Sequence, residues 1–240
     1  MKAQERHHLK QNEFAETAAR VAAGMAQYRD RLMVIVAVVV VGAAVIGGYL
    51  WWQGRTSSRA DALFGRAVSI AQAQIAPAPT LPGATQAPNT YPTEQARQAA
   101  ALQAFQEIAL AYPSTATGTA AKYHVAALFL EAGRLPEAEQ AFRGVVTDAG
   151  RSLYGPTARL GLASVLSAQA KHDEAIKILT DLSGDRDGAL PVDAVLMELG
   201  RACLKAGKIP EARAAFKRIV DSFPDSSFVA EARQRLTTTG

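Results

Sequence analysis

Gly207-Lys-Ile-Pro-Glu-Ala212-Arg-Ala-Ala-Phe216-Lys-Arg-Ile219-Val-Asp-Ser-Phe-Pro224 is the stretch on which the reading of this chain turns. The same design stands twice more, as Gly133-Arg-Leu-Pro-Glu-Ala138 and as Ala170-Lys-His-Asp-Glu-Ala175. Ala101, Ala138, Ala175 and Ala212 recur every 37 residues. Four residues after each comes a large apolar side chain: Phe105, Phe142, Leu179 and Phe216. Three further on stand Ile108, Val145, Leu182 and Ile219. Self-similarity at such a period marks stacked units that bury their apolar faces on one another. Glycine suits the left-handed residue that ends a helix, and proline suits the opening of the next. A small residue followed at i+4 by a large one gives a helix a notch for its neighbour and a plug for the core. The preceding stretches carry the complementary stripe: Leu196, Leu199, Gly200 and Cys203; Leu162, Ala163 and Leu166; Val125, Ala126 and Phe129.

Working outward, Ala60, Leu63, Phe64, Ala67, Ile70 and Ala71 predict an amphipathic helix over 58–75, opened by Ser58 with Asp61. Its partner begins at Thr93. Between them, residues 77–92 carry five prolines and no apolar period, which predicts an extended, unstructured excursion. From Asp225 to Leu236 one more helix, with Arg233 and Arg235 outward, suits the polar cap that a solenoid needs. The fold expected is all-α, a helical-hairpin solenoid over 53–240.

Before it lies an apolar run without any ionisable group, 32–52, ending in Tyr49-Leu-Trp-Trp52. At about 1.5 Å of rise per residue it matches the roughly 30 Å of a bilayer core, and its aromatic end suits the headgroup level. A single transmembrane helix is expected. No small-residue cleavage pattern follows it, so it reads as an uncleaved anchor. Within the membrane-proximal residues the basic count ties, with Arg20, Arg29 and Arg31 before the run and Arg55, Arg59 and Arg66 after it. The tail 1–31 carries six Lys/Arg, and long domains cross membranes largely regardless of charge. Both points favour a cytoplasmic N-terminus and an external domain. Phe14, Ala18, Val21, Met25, Tyr28 and Leu32 form one helical stripe in that tail, and Ala43/Gly47 and Ala44/Gly48 are small-xxx-small pairs. Self-association through 14–48 is one expectation from them, beside a helix that simply extends the span.

Chemistry is sparse. Residues 53–240 carry 20 basic and 18 acidic side chains with no basic stripe, so nucleic acid is not an expected partner. The four histidines, His7, His8, His124 and His172, have no metal-ligand spacing, and the lone Cys203 occupies an interior repeat position. Gly184-Asp-Arg-Asp-Gly188 opens like a calcium loop, but Leu196 stands where its bidentate glutamate belongs. No enzyme, no metal and no cofactor are expected.

Leu199-Gly200, Gly207, Ala212, Phe216 and Pro224 resemble the tetratricopeptide repeat in its best-preserved copy; the family's tryptophan position is Leu196 there, and Lys122 and Arg159 in earlier copies. The layout of tail, anchor ending in Trp-Trp and short repeat array is similar to the YfgM-type ancillary subunits of the SecYEG translocon. The repeats also resemble those of periplasmic cell-division coordinators. That resemblance implies a bacterial inner-membrane, single-pass protein whose domain faces the periplasm. Its implied partners are translocon subunits, periplasmic chaperones or exported clients. An envelope or division scaffold, or a cytoplasm-facing adaptor of reversed topology, are the alternatives. The family's groove positions, carried onto this sequence, include Tyr123, Ala127, Leu160, Ser164, Met197 and Arg201. With Arg201 the sole cation among them, a mildly apolar client-binding face is implied.

The register makes Phe216 a core plug. Phe216→Ala should therefore cost about 3–5 kcal/mol in urea denaturation. Shortening 77–92 to a brief Gly/Ser link should leave the midpoint nearly unchanged, since long loops add little closure entropy. Equal losses in both variants would mean the register is wrong.

Overall fold

A computed structural model describes residues 4–77, 85–149, 152–185 and 188–239, the side chains of 4–30, 32, 49–50 and 52–53 excepted. Two compact units divide at residue 55. One helix, α1 (Gln4–Ala71), contributes to both. In the second unit, the end of α1 pairs with α2 (Glu94–Ala111). Three further hairpins follow: α3 (Ala116–Glu131) with α4 (Leu135–Asp148), α5 (Tyr154–Ala168) with α6 (His172–Gly184), and α7 (Val192–Lys205) with α8 (Ile209–Ser222). The last helix, α9 (Val229–Thr238), covers α8. First helices also touch along the array, α3 on α5 and α5 on α7, whereas second helices do not contact one another to the same degree. The closer row is the inner, concave side.

The periodic residues are the core. All four alanines, their i+4 partners and the residues three further on are buried. Two of the plugs sit where a facing helix lacks a side chain. A Cβ on Gly161 would lie 2.4 Å from the Phe142 ring, and one on Gly200 would lie 2.4 Å from the Phe216 ring. Real Cβ atoms do not approach that closely, so these glycines are part of the packing.

The turns inside the three later hairpins close in the same way. The amide N–H groups of Arg134, Lys171 and Lys208 donate to the carbonyls of Phe129, Leu166 and Cys203 at 2.9, 2.8 and 2.9 Å. This six-to-one bond needs a left-handed residue just before it. Gly133 (φ 70°), Ala170 (φ 61°) and Gly207 (φ 72°) supply that conformation. Pro136 and Pro210 then stand in the first turns of α4 and α8, and Thr93 and Thr115 cap α2 and α3 by accepting from Ala96 N and Gly118 N.

Three expectations are corrected in detail. No helix starts at Ser58, because α1 runs through it: residues 53–57 contain no proline, and one glycine costs only about 1 kcal/mol. Asp61, expected in a cap, instead accepts from the Thr117 hydroxyl of α3. The excursion at 77–92 is not unstructured at its base. There β1 (Gln74–Ile75) pairs in parallel with β2 (Thr90–Tyr91), and the Gln86 side-chain amide donates to Ala76 O (3.0 Å) and Thr90 Oγ1 (2.8 Å). Finally, α9 begins at Val229, later than Asp225, with Ser226 closing the turn by accepting from Phe228 N.

From Met33 to Gly48 the apolar side chains of α1 stand exposed, Val38 at 66%. Among the described residues no helix is long and apolar enough to cross a membrane. The expected span over 32–52 includes four side chains outside the described residues, and the stripe from Phe14 to Tyr28 lies outside them altogether.

Among the three hairpin turns Ala170 alone meets the left-handed position with a Cβ, which costs roughly 1–2 kcal/mol against a glycine entropy penalty of roughly 0.5–1. Ala170→Gly should thus stabilise by about 0.5–1 kcal/mol, read as a raised urea midpoint. Ala170→Val should lower it.

Candidate protein-binding groove

The first helices place Ala127, Ser164 and Arg201 one repeat apart along the inner side, and two clefts open there. Between the end of α1, α2 and α3 lies a cleft of about 260 Å³, lined by Glu94, Arg97, Phe105, His124, Ala127 and Glu131 among others. Between α5, α7 and α9 lies another of about 310 Å³. Ser164, Ser167, Glu198, Arg201, Lys205 and Arg235 surround it over a floor that includes Ala163, Leu179 and Ala202.

The second cleft is organised by Arg201. Its guanidinium donates to Glu198 Oε1 at 2.7 Å and, across to α9, to Glu231 Oε2 at 2.8 Å. Arg235 reaches Glu231 from the other side at 3.4 Å. The Arg201 hydrogen bond holds the Glu231 carboxyl below the usual carboxylate range, against the burial that would raise it. Lys205, one turn after Arg201, makes no ion pair among the described residues. Three cations against two carboxylates leave the cleft positive.

The six expected groove residues separate. Ala127 lines the first cleft; Ser164 and Arg201 line the second. Tyr123 is half-buried, its ring 5.8 Å from those of His124, Phe142 and Tyr154, and burial followed by the Tyr154 charge raises its phenol pKa. Leu160 is half-buried against the central core. Met197 is corrected: it is fully buried beside Leu196, Phe216 and Ala232, where it packs the array and meets no solvent. The position shared by these three joins one hairpin to the next, and α9 seals it completely at Met197. Lys205 and Arg235 were missed. The i+4 step from Arg201 to Lys205 is readable in the sequence, whereas Arg235 reaches the cleft only because α9 packs on α8 and brings Glu231 to Arg201.

The outer side differs between junctions. Arg143–Glu174 (3.2 Å) and Lys171–Glu139 (2.8 Å) bridge α4 to α6, and Lys208–Asp173 (2.7 Å) joins the turn before α8 to α6. The α2–α4 groove is instead apolar, with Ala109, Phe129, Ala141 and Val145 beside Leu110, which is 82% exposed. Among the described residues no three His, Cys, Asp or Glu are grouped to hold a metal, and Cys203 is buried, which pushes its thiol pKa up.

A tetratricopeptide repeat-like domain family matches residues 25–238. The chain belongs to this family. No curated protein matches it. Among solved structures it is similar to the nearly identical TPR-like repeats of a Podosopora anserina kinesin light chain, at 15% identity and TM-score 0.57, covering 76% of this chain and 85% of that one. It is also similar to Pseudomonas aeruginosa PilF, at 16% identity and TM-score 0.52, covering 77% and 78%. A repeat protein from Parabacteroides merdae aligns at 12% identity and TM-score 0.50, covering 61% and 55%. At these identities the likeness is one of fold. This tetratricopeptide-type chain is a helical scaffold of the kind that binds proteins.

Arg201→Met tests the cleft's charge network. The Glu231 carboxyl should then titrate closer to the ordinary carboxylate range, followed by NMR. Its depressed pKa contributes stability that is present above about 4.5 and lost as pH falls through the folded value. The variant should therefore be less stable than wild type at pH 7, by under about 1 kcal/mol for this solvated pair, and equal to it at low pH.

Proposed function

We propose that this chain is a membrane-anchored adaptor that presents its concave groove to extended segments of other proteins at the site of protein export. The observation that carries the reading is the exposed apolar stretch of α1, which continues in the same helix into the first repeat hairpin. An apolar surface of that extent has no place in water and suits a bilayer core. The matched family begins at residue 25, so the stretch and the repeats fall within one family unit, which supports reading them as one device. The layout's similarity to ancillary translocon subunits supports the periplasmic side and exported or chaperone partners.

In the groove, Ser164, Arg201, Lys205 and Arg235 would hold and orient the client, with Ala127 beneath the same strip one hairpin away. The positive balance favours segments carrying an acidic side chain, and the hydroxyls of Ser164 and Ser167 suit main-chain groups of an extended peptide. Tyr123 and Leu160 would contribute only the part of their surface that the hairpin joints leave open.

A photo-crosslinker at Ser164 or Lys205 in intact membranes should capture translocon subunits or exported chains, while one at outward Lys217 should not. Protease added to cells with a permeabilised outer membrane should remove 53–240. Capture from both faces alike would overturn the groove; protection of the domain would overturn the topology.

A further inference from the structure

One titratable side chain among the ring contacts of the repeat unit belongs neither to the groove's charge network nor to the repeat pattern. His124 of α3 stacks on Phe105 of α2, ring centroids 4.7 Å apart and planes within 10°. Phe64 of α1 meets both rings edge-on, at 5.4 Å from His124 and 5.5 Å from Phe105. On the other side Tyr123 lies 5.8 Å from His124 and continues to Phe142 and Tyr154. These rings run from the first hairpin into the third. At the next junction the place of His124 is held by Gly161, on which Phe142 rests directly. The imidazole is thus a spacer that fills the gap between the first two hairpins, and it is the sole titratable spacer at these two equivalent junction positions.

We propose that the joint between the first and second hairpins is a proton-sensitive coupling: neutral His124 holds α2 on α3, and its protonation loosens the first hairpin while the other three stay packed. Burial among rings disfavours the charged imidazole and lowers its pKa. The groups near it do not reverse this. From α2, Glu94 and Arg97 line the adjoining cleft, and those two pair with each other at 2.6 Å. From α3 come Glu131, at the far side of the cleft, and Lys122, paired to Asp148 at 2.6 Å. Asp61 of α1 is engaged by Thr117, and burial raises the Tyr123 phenol above its ordinary value. A base with a depressed folded pKa contributes stability that is complete above about 6.5 and lost as pH falls through the folded value.

The test is hydrogen exchange on the full-length chain between pH 7.5 and 5, with α8 amides around Phe216 as internal reference. Opening of α2 around Phe105 should rise relative to α8 by up to about tenfold for each pH unit between the unfolded and folded pKa. His124→Phe, which keeps a ring in the gap, should abolish the rise; His172→Gln, at a half-buried imidazole elsewhere, should leave it intact. NMR of the His124 ring should show titration below about 6.5. A ring titrating at or above that value, from an attractive imidazolium–Phe105 stack, would overturn the proposal. So would parallel changes in α2 and α8, or an undiminished acid response in His124→Phe.

Discussion

A large ring pressed onto a backbone that has no side chain to offer is the contact on which the array rests. Phe142 on Gly161 and Phe216 on Gly200 bring helix axes close, and the alanines of the 37-residue period allow the same closeness on the opposite side. Each such seat removes from water a side chain whose full burial is worth roughly 1.5–3 kcal/mol. A solenoid has no central core shared by distant residues, so its stability is the sum of these local seats and joints. That is why the plug position tolerates Leu179 in the third hairpin, where a smaller apolar group suffices, while the notch stays alanine throughout.

The same close row of first helices produces the inner face. Side chains one register position apart have different fates there. Tyr123 and Leu160 are half-buried among core neighbours and Met197 is wholly buried, whereas Ala127, Ser164 and Arg201 line the clefts. Charge then accumulates toward the C-terminal end, where α9 delivers Glu231 and Arg235 to Arg201. The outer side follows another rule: ion pairs tie the later hairpins together, and an open apolar channel separates α2 from α4.

The hairpins were legible because small-then-large spacing at a fixed period has one physical interpretation, and the residues carrying it are those the structure buries. The turns were legible for the same local reason, down to Ala170 standing in for glycine. What escaped the sequence was set by tertiary neighbours. Met197 reads as a groove residue in its own helix and becomes core only because α9 packs over it. Ser58 reads as a cap only if a helix must begin there, and α1 simply continues. The role of His124 depends on Phe105 arriving from 19 positions upstream in the chain to stack on it. Ala127, Ser164 and Arg201, the positions that the family resemblance implies, line the two clefts, whereas Arg235 comes to the second from α9.

The two-residue parallel ladder at the mouth of the proline-rich segment has a consequence for how such a chain can vary. Gln74–Ile75 and Thr90–Tyr91 fasten the two ends of the segment to each other, and Arg97 secures the near end by donating to Ala73 O at 3.1 Å. The clasp therefore holds the two ends of the segment at one spacing beside α1 and α2, so a change of length between those ends need not move the helices that carry them.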